Sequence, residues 1–299
     1  MAGELGLGVS LSRDMLKCGL LAGLGAGVLG SGIYWLWKRT RETPPNPYED
    51  ERMNHMYMAF HYTPPDEYLV HPNGPITALD FPLRCAQLCG KHQQEGVLKR
   101  ALDVGCAVGR STFELARDFE EVVGIDYSAA FIHRCQELKM TGRSAYRLKT
   151  EGDLGEDKIA AISPEIDRQR VLFMVGDGCN LPQLGQFGCV LAANLICRLP
   201  DPRPFFIRLR SIVVEGGLVV ITSPYSWLEQ YTPKANWLGG YKDNEGREVS
   251  GFDSMKEIMG THFELVEEMG MPLLIRETVR LHQWTVAHAT VWRRNNVSG

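Results

Sequence analysis

The sequence lacks an excess of charge of one sign. Its 299 residues carry 32 Lys and Arg against 36 Asp and Glu, a net charge of −4 with histidine neutral. A protein that binds nucleic acid through its phosphates usually has a basic excess, so we predict no nucleic-acid partner. The chain is 44% hydrophobic and 23% charged, which is typical of a globular protein large enough to bury a sizeable core.

The sequence also lacks a second Cys or His pair at the spacing of a zinc site. Most of its 8 cysteines stand in apolar runs such as residues 188–197, where cysteine behaves as a small buried hydrophobic residue. Cys85 and Cys89 are four positions apart, which is the spacing of one helix face. We therefore predict no metal site and no disulfide framework, and reduced thiols are typical of a domain that faces the cytosol.

Charged residues are absent from residues 18–37, and this run of 20 residues is long enough to cross a bilayer as a helix. Aromatic residues at its end and basic residues directly after it predict a retained single-pass anchor with the following domain in the cytosol. Glycines spaced by four in the run would let two such helices pack as a homodimer. A cleaved signal peptide or a mitochondrial transit peptide fits less well, because no clear cleavage site follows and Glu4 and Asp14 precede the run.

We divide the chain accordingly into an N-terminal flank at 1–17, the membrane helix at 18–37, a Pro-rich linker at 38–47 and one globular domain at 48–299. Within that domain, short apolar runs alternate with helical patterns, which predicts an α/β fold with a parallel sheet. The predicted parallel strands are 100–105, 121–126, 171–176, 189–194 and 217–223. The runs 263–268 and 284–293 have little helix between them and predict a terminal antiparallel pair, whereas the charged residues 149–170 predict a surface insertion.

A glycine-containing turn follows the first predicted strand. Gly105 and Gly109 flank it, and a helix begins near Arg110, so main-chain N–H groups can approach a ligand closely. Asp126 ends the second strand 21 residues after Gly105, where such folds place a carboxylate that binds a ribose diol. A third glycine in the dinucleotide pattern is missing and the acidic Asp103 precedes the turn, which favours S-adenosylmethionine over a dinucleotide.

The turn, DVGCAVG at 103–109, resembles motif I of class I S-adenosylmethionine-dependent methyltransferases. A narrower similarity connects residues 48–294 with the methyltransferase domain of ovothiol synthases, which acts on 4-mercaptohistidine. The stretches TSPYSWL at 222–228, NWLGG at 236–240 and IRET at 275–278 carry that narrower similarity. The resemblance implies a Rossmann-like seven-stranded sheet and methyl transfer to an imidazole nitrogen of a thiolated histidine.

The resemblance also implies a set of cofactor contacts. Asp126 would accept the ribose hydroxyls, and Asp177 would contact the adenine amino group. Asp103 would orient the amino-acid end through water or the backbone. Each has a structural alternative: a helix cap for Asp126, a turn for Asp177 and loop bracing for Asp103. The remaining implied contacts are Gly105, Cys106, Gly109, Tyr127, Gly178, Cys179 and Asn194.

Candidate acceptor-binding or catalytic residues lie in three other segments. Asn194 ends the fourth strand, and His61 and Tyr62 lie in an aromatic stretch that either closes over the site or packs as a helix on the sheet. Arg276 is a candidate clamp for a carboxylate, and Glu277 for an ammonium.

Two further features remain open. Arg198 either faces an acidic substrate group or is solvated, and aromatic residues in the loop after the fifth strand either wall the acceptor or anchor the loop.

One departure from the ovothiol synthases bears on the acceptor. Their iron-dependent sulfoxide synthase domain has no counterpart in this sequence, so a thiolated histidine would have to come from another enzyme. The alternatives are a methyltransferase for another small molecule or a protein side chain, and a membrane-tethered binding module without catalysis.

Overall fold

The computed structural model describes residues 46–296. The predicted membrane helix at 18–37 lies outside the described residues, and no helix within 46–296 combines the length and the apolar character needed to cross a membrane. The helices are α1 (Glu51–Tyr62), α2 (Pro65–Tyr68), α3 (Phe81–His92), α4 (Arg110–Leu115), α5 (Ala129–Thr141), α6 (Arg203–Ile212) and α7 (Gly251–Met259). The strands are β1 (Arg100–Val104), β2 (Glu121–Asp126), β3 (Arg143–Glu151), β4 (Leu154–Ala161), β5 (Val171–Val175), β6 (Phe187–Ala193), β7 (Val213–Ser223), β8 (Tyr241–Lys242), β9 (Glu248–Val249), β10 (Phe263–Arg276) and β11 (His282–Arg294).

Seven strands form one mixed sheet in the order β10-β11-β7-β6-β1-β2-β5. Neighbouring strands from β7 to β5 pair in parallel, while β11 is antiparallel to both β7 and β10. The predicted α/β class, the five parallel strands and the terminal antiparallel pair are therefore confirmed. Because β1 lies in the middle of the sheet between β6 and β2, the turn after β1 opens at the point where the strand order reverses.

Both faces of the sheet are buried at its central strands β7, β6, β1 and β2. Alternate residues of β1 point to opposite sides: Ala101 packs with α1, α3 and α4, whereas Leu102 and Val104 pack with α6 and α7. Burial on both faces explains why the parallel strands read as continuous apolar runs in the sequence. Because helices cover the faces, a ligand can approach the sheet at the carboxyl ends of its strands, where the loops begin.

Strands β10 and β11 continue beyond the end of β7. Ser223, the last residue of β7, pairs with His288, while β10 and β11 stay paired as far as Arg276 and His282. We call residues 272–276 with 282–286 the arm. The arm stands above the carboxyl edge of the sheet, and the hydroxyl of Tyr68 in α2 donates a hydrogen bond to the carbonyl of Leu274 at 3.2 Å.

The predicted surface insertion at 149–170 is only partly correct. Residues 143–161 form a regular antiparallel hairpin, β3–β4, which begins six residues earlier than predicted. Its strands are mostly polar because only one face is covered: Tyr146 and Leu148 are buried, and the alternate residues are exposed. Helix α6 was not predicted, although its buried residues Phe205, Phe206, Leu209 and Ile212 follow the helical period.

Candidate active site

The turn after β1, residues 105–109, has backbone conformations that favour glycine. Gly105, Ala107 and Gly109 have φ values of 77°, 48° and 85°. At Gly109 a side chain would also meet its neighbours, because a Cβ would lie 2.9 Å from Sγ of Cys135. The main-chain N–H groups of Gly105 and Cys106 donate to the carbonyl of Ile125 at 2.7 and 3.0 Å, which fixes the turn against the end of β2. The predicted glycine turn is therefore present, with the conformation that requires glycine at both ends.

Asp126 lies beside this turn at the end of β2. Its carboxylate accepts hydrogen bonds from the main-chain N–H groups of Ala107 and Ser128, both at 2.9 Å. Burial raises the pKa of Asp126 to about 6, while the donated hydrogen bonds oppose the increase. Ser128 caps helix α5 by accepting from Phe131 N at 3.1 Å, so the helix-cap alternative for Asp126 does not hold. Asp126 thus remains the predicted ribose acceptor, ionised at neutral pH.

Asp103 lies in β1, two residues before Gly105. It is 1% exposed, and Thr112 of α4 donates to its carboxylate at 2.7 Å. Burial raises its pKa to about 7. These contacts correspond to the bracing alternative: Asp103 ties β1 to the helix that follows the turn. This buried position does not favour a direct contact with the amino end of a cofactor.

The implied adenine-side residues lie on the loop after β5. Because Val175 pairs with Asp126, Asp177 lies at the same sheet edge as Asp126. The exposed Asp177 accepts from the main-chain N–H of Cys179 at 2.8 Å, so it does form the turn of the structural alternative. A Cβ at Gly178 would lie 3.0 Å from Leu199, and Tyr127 is 69% exposed. The adenine contact of Asp177 remains a prediction.

Asn194 directly follows β6 and has a strained backbone with φ of 52°. Its main-chain N–H donates to the carbonyl of Thr222 at 2.9 Å, and its side-chain Oδ1 accepts from the hydroxyl of Thr222 at 3.0 Å. The next residue, Leu195, would be 3.0 Å from a Cβ at Gly105. The end of β6 therefore lies against the glycine turn, and the amide nitrogen of Asn194 is left as a hydrogen-bond donor.

His61 and Tyr62 are held at the same turn by α1. The hydroxyl of Tyr62 donates to the carbonyl of Val108 at 2.8 Å, so Tyr62 braces the turn. The main-chain N–H of Arg110 donates to Nδ1 of His61 at 3.3 Å. Burial lowers the pKa of His61 to about 3, with a smaller effect from the charge of Arg110. His61 is therefore neutral, with its proton on Nε2, and we infer that it can donate but not accept a hydrogen bond at that atom.

The clamp predicted for Arg276 needs correction. Arg276 is 5% exposed, and its guanidinium donates to the carbonyls of Glu67 at 2.9 Å, Tyr68 at 3.1 Å and Lys149 at 3.4 Å. These contacts tie α2 and the β3–β4 hairpin to the arm. A guanidinium engaged by main-chain carbonyls is not free to clamp a carboxylate. Its neighbour Glu277 accepts from the side chain of Gln283 at 2.6 Å within the turn between β10 and β11.

The aromatic residues after β7 mainly anchor their own loop. The indole N–H of Trp237 donates to the carbonyl of Thr232 at 2.7 Å, and the Asn236 amide donates to Pro200 at 2.9 Å. Trp227 is 8% exposed, and the Tyr225 hydroxyl lies 3.0 Å from Nδ1 of His288. These contacts correspond to the anchoring alternative rather than to a wall around the acceptor.

The sequence did not single out an aromatic cluster above the turn. Tyr48 stacks on Tyr231 with ring centroids 6.4 Å apart, and Arg198 lies over the Tyr231 ring at 4.8 Å. The Tyr48 carbonyl accepts from the hydroxyl of Ser128 at 3.0 Å, next to Asp126. We call Tyr48, Tyr57, Tyr231 and Arg198 the aromatic rim. Its members come from three distant segments, so only the aromatic content of those segments could have indicated it.

Comparisons with known proteins agree with this geometry. Residues 102–221, which include the turn, Asp126 and Asn194, match the family profile described as a methyltransferase domain. The "Probable S-adenosylmethionine-dependent methyltransferase CRG1" of Saccharomyces cerevisiae is 24% identical over 177 residues, covering 58% of this chain and 57% of CRG1. The chain thus matches little more than half the length of that relative. Residues 102–221 are therefore similar to a methyltransferase domain, and the chain is similar to an S-adenosylmethionine-dependent methyltransferase.

Solved structures of similar fold include two methyltransferases. The N-methyltransferase NodS of Bradyrhizobium japonicum in complex with S-adenosylhomocysteine has a TM-score of 0.45 and 16% identity, covering 83% of this chain and 100% of NodS. A methyltransferase of Methanosarcina mazei has a TM-score of 0.44 and 17% identity, covering 69% of this chain and 95% of that protein. The narrower resemblance to ovothiol synthases is carried by the sequence alone and stays a proposal.

The described residues fit S-adenosylmethionine. Gly105 is half-buried and has no side chain to block a ligand, and the ionised Asp126 beside the turn can accept the hydroxyls of a ribose. Because the buried carboxyls of this site have raised pKa values, added negative charge such as a pyrophosphate is disfavoured near them. A cofactor with a cationic sulfonium is compatible with that environment.

Proposed function

We propose that this protein transfers a methyl group from S-adenosylmethionine to a ring nitrogen of a small molecule, and that this molecule is a thiolated histidine. The observation that carries the methyl-transfer proposal is Asp126 held beside the strained glycine turn at the switch point of the sheet. The support for the acceptor comes from the sequence stretches 222–228, 236–240 and 275–278. The cofactor supplies an electrophilic methyl group on a sulfonium.

The protein's own contribution is mainly positioning. Holding two reactants in a near-attack geometry can supply about 7–11 kcal/mol of the barrier reduction. Tyr62 and the main-chain contacts to Ile125 hold the turn, and Thr222 holds Asn194 beside it. The free amide nitrogen of Asn194 is then placed to donate a hydrogen bond to the acceptor.

A strong general base is not needed for this acceptor. An imidazole with an ordinary pKa of about 6.5 is largely unprotonated at neutral pH and carries a free nitrogen lone pair. His61 cannot act as the base, because Nδ1 already accepts from Arg110 and its pKa is lowered to about 3. Its Nε2–H can instead donate a hydrogen bond and so select one orientation of a ligand.

Methyl transfer to purified thiolated histidine tests the proposal. The full chain is incubated with S-adenosylmethionine and 4-mercaptohistidine, with plain histidine in parallel, and methylated products are identified by mass spectrometry. We expect an N-methylated thiolated histidine and little product from histidine. If the protein binds S-adenosylmethionine but methylates neither compound, the acceptor is a different small molecule or a protein side chain. If it does not bind the cofactor, the binding-module alternative is correct.

We also propose that residues 18–37 hold this domain at a membrane, with the domain on the cytosolic side. The support is the uncharged run of 20 residues followed by Lys38, Arg39 and Arg41. The catalytic proposal does not depend on it, because every residue of the candidate site lies within 46–296.

A further inference from the structure

Arg198 is held at the aromatic rim by one edge of its guanidinium. Nη1 donates to the carbonyls of Cys197 and Ser226, both at 3.0 Å, and Nη2 donates to the hydroxyl of Ser226 at 3.3 Å. These contacts use the end of the guanidinium and leave Nε–H and one Nη2–H without a partner among the described residues. The Nε atom is open to solvent, unlike Nε of Arg276, which is buried without a partner. The two remaining N–H groups lie side by side, which is the arrangement that binds a carboxylate with two parallel hydrogen bonds.

The charge of Arg198 has no carboxylate partner within residues 46–296. None of the ion pairs in that part of the chain includes it, whereas Arg203, five positions later, lies 3.7 Å from Asp201. Arg198 is half-buried, so its guanidinium is partly removed from water without a counter-charge. A partly desolvated, uncompensated charge is unfavourable and favours an anionic ligand.

Arg198 lies next to the candidate cofactor site. Its guanidinium covers Tyr231, Tyr231 stacks on Tyr48, and the Tyr48 carbonyl is bound to Ser128 beside Asp126. Leu195, three positions before Arg198, packs against Gly105 of the turn. Arg198 thus follows the β6 segment that touches the turn.

The electrostatics of the site favour an acceptor with a negative group. The positive guanidinium of Arg198 and the positive sulfonium of a bound cofactor would both repel a cationic acceptor. An acceptor that carries a carboxylate compensates the guanidinium. Arg276, the other candidate, is 5% exposed and its Nε is buried, so it offers no open edge of this kind.

We propose that Arg198 binds the carboxylate of the methyl acceptor through its Nε and Nη2 edge, so that the enzyme selects anionic over neutral or cationic acceptors. This inference rests on the proposed methyl transfer and deepens it, because it assigns the residue that recognises the amino-acid end of the acceptor. It does not require that the acceptor be a thiolated histidine.

Kinetics with a matched pair of acceptors test the proposal. The full chain is assayed with 4-mercaptohistidine and with its decarboxylated counterpart, 4-mercaptohistamine. We expect kcat/KM to be about 10- to 100-fold higher for the carboxylate, mainly through KM, as two charge-assisted hydrogen bonds would give. Arg198→Gln should remove most of that preference, Arg198→Lys should keep part of it, and the control Arg203→Gln should leave it unchanged. Similar kcat/KM for both acceptors in the wild-type protein would overturn the inference while leaving the proposed function intact.

A binding measurement covers the case in which neither thiolated compound is methylated. The protein saturated with S-adenosylhomocysteine is titrated by calorimetry with benzoate and with benzamide, which differ only in the charged group. Tighter binding of benzoate that Arg198→Gln abolishes, with S-adenosylhomocysteine affinity and melting temperature unchanged, supports the inference even though the proposed acceptor is wrong. Equal binding of the two probes, or a benzoate preference that survives Arg198→Gln, overturns it. A variant that melts early or loses S-adenosylhomocysteine shows that Arg198 braces the Ser226 loop, which also overturns it.

Discussion

Asp126 is the residue on which cofactor affinity depends most directly. Its pKa of about 6 means that a growing fraction of the carboxylate is protonated as the pH falls from 7 to 5, and a protonated carboxyl cannot accept both ribose hydroxyls. We therefore predict that the affinity for S-adenosylmethionine falls over this range. Asp126→Asn should weaken binding by about 1–3 kcal/mol at pH 7.5 and remove most of the pH dependence.

Isothermal titration calorimetry at pH 5.5, 6.5 and 7.5 measures both effects. Glu121→Gln is the control, because Glu121 lies on the same strand at its opposite end. A Kd that is unchanged in Asp126→Asn would show that Asp126 only braces the turn through Ala107.

Asp103 should make the stability of the fold depend on pH. Its carboxyl has a folded-state pKa of about 7, above the unfolded value of about 3.8, so the folded state holds the proton more tightly. Stability from this group is therefore gained as pH falls through 7 and lost as pH rises. The quantity to compare is the free energy of unfolding of the wild-type protein minus that of Asp103→Asn. This difference should be about 1 kcal/mol larger at pH 6 than at pH 8.

Denaturant unfolding of both proteins at the two pH values isolates this contribution, since the other titrating groups are common to both. If the difference in free energy of unfolding between the two proteins is the same at pH 6 and pH 8, Asp103 does not titrate in this range.

The sequence predicts some of these residues well and others poorly, for a physical reason. Asp126 and the glycine turn depend on contacts within about 20 residues of chain and on a backbone shape that only certain residues adopt, so spacing alone identifies them. The bracing role of Arg276 depends on main-chain carbonyls of α2, 208 and 209 positions away along the chain. Nothing in the local sequence distinguishes a guanidinium that binds such carbonyls from one that binds a substrate.

At the scale of elements, the β10–β11 arm depends on Arg276 for its connection to α2 and to the β3–β4 hairpin. Arg276→Ala leaves the carbonyls of Glu67, Tyr68 and Lys149 without their donor, so we predict a loss of about 1–3 kcal/mol in the free energy of unfolding. Because the guanidinium is not directed at an acceptor, KM for the methyl acceptor should change less than threefold. Denaturant unfolding and steady-state kinetics on the same preparation check the two parts. A large rise in KM at unchanged stability would restore the clamp hypothesis.

Glu49, in the segment before α1, connects that segment to helix α5. Both carboxylate oxygens of Glu49 accept main-chain N–H groups at the start of α5, Ala129 at 2.9 Å and Ala130 at 3.2 Å. A negative charge at a helix N-terminus stabilises the helix, so Glu49→Gln should cost about 0.5–1 kcal/mol of stability. Glu95→Gln, which removes the charge of an exposed turn residue with no ion pair among the described residues, is the control. Equal melting temperatures for the two variants would contradict a capping role for Glu49.

The elements themselves were predictable to different degrees. The parallel strands form apolar runs that stand out from their surroundings, because all but the edge strand β5 are buried on both faces. The hairpin β3–β4 is covered on one face only, and its alternating charged residues look like a solvated insertion until the buried Tyr146 and Leu148 are seen. The length of β10 was underestimated although Met271, Leu273 and Leu274 are buried, because Gly270 and Pro272 interrupt the strand pattern there.

At the scale of the whole molecule, we expect the domain at 46–296 to fold and bind its cofactor without the apolar run at 18–37. Every contact described for the candidate site lies within 46–296, and Asn46 and Glu49 already take part in helix caps. We predict that a fragment starting at Asn46 folds and binds S-adenosylmethionine with the affinity of the full chain. We also predict that the fragment stays in the supernatant after cell fractionation, while the full chain sediments with membranes and resists extraction by carbonate.

A charge placed in the apolar run provides the matched control for this last prediction. Leu24→Arg in the full chain puts an arginine near the centre of residues 18–37, where a charged side chain is costly in hydrocarbon. The variant should shift toward the supernatant without a change in cofactor affinity. Protease added to intact membranes should digest the domain of the wild-type chain, because the basic residues after the run place that side in the cytosol. Protection until detergent is added would reverse the orientation, and a wild-type chain that stays in the supernatant would show that residues 18–37 are not an anchor.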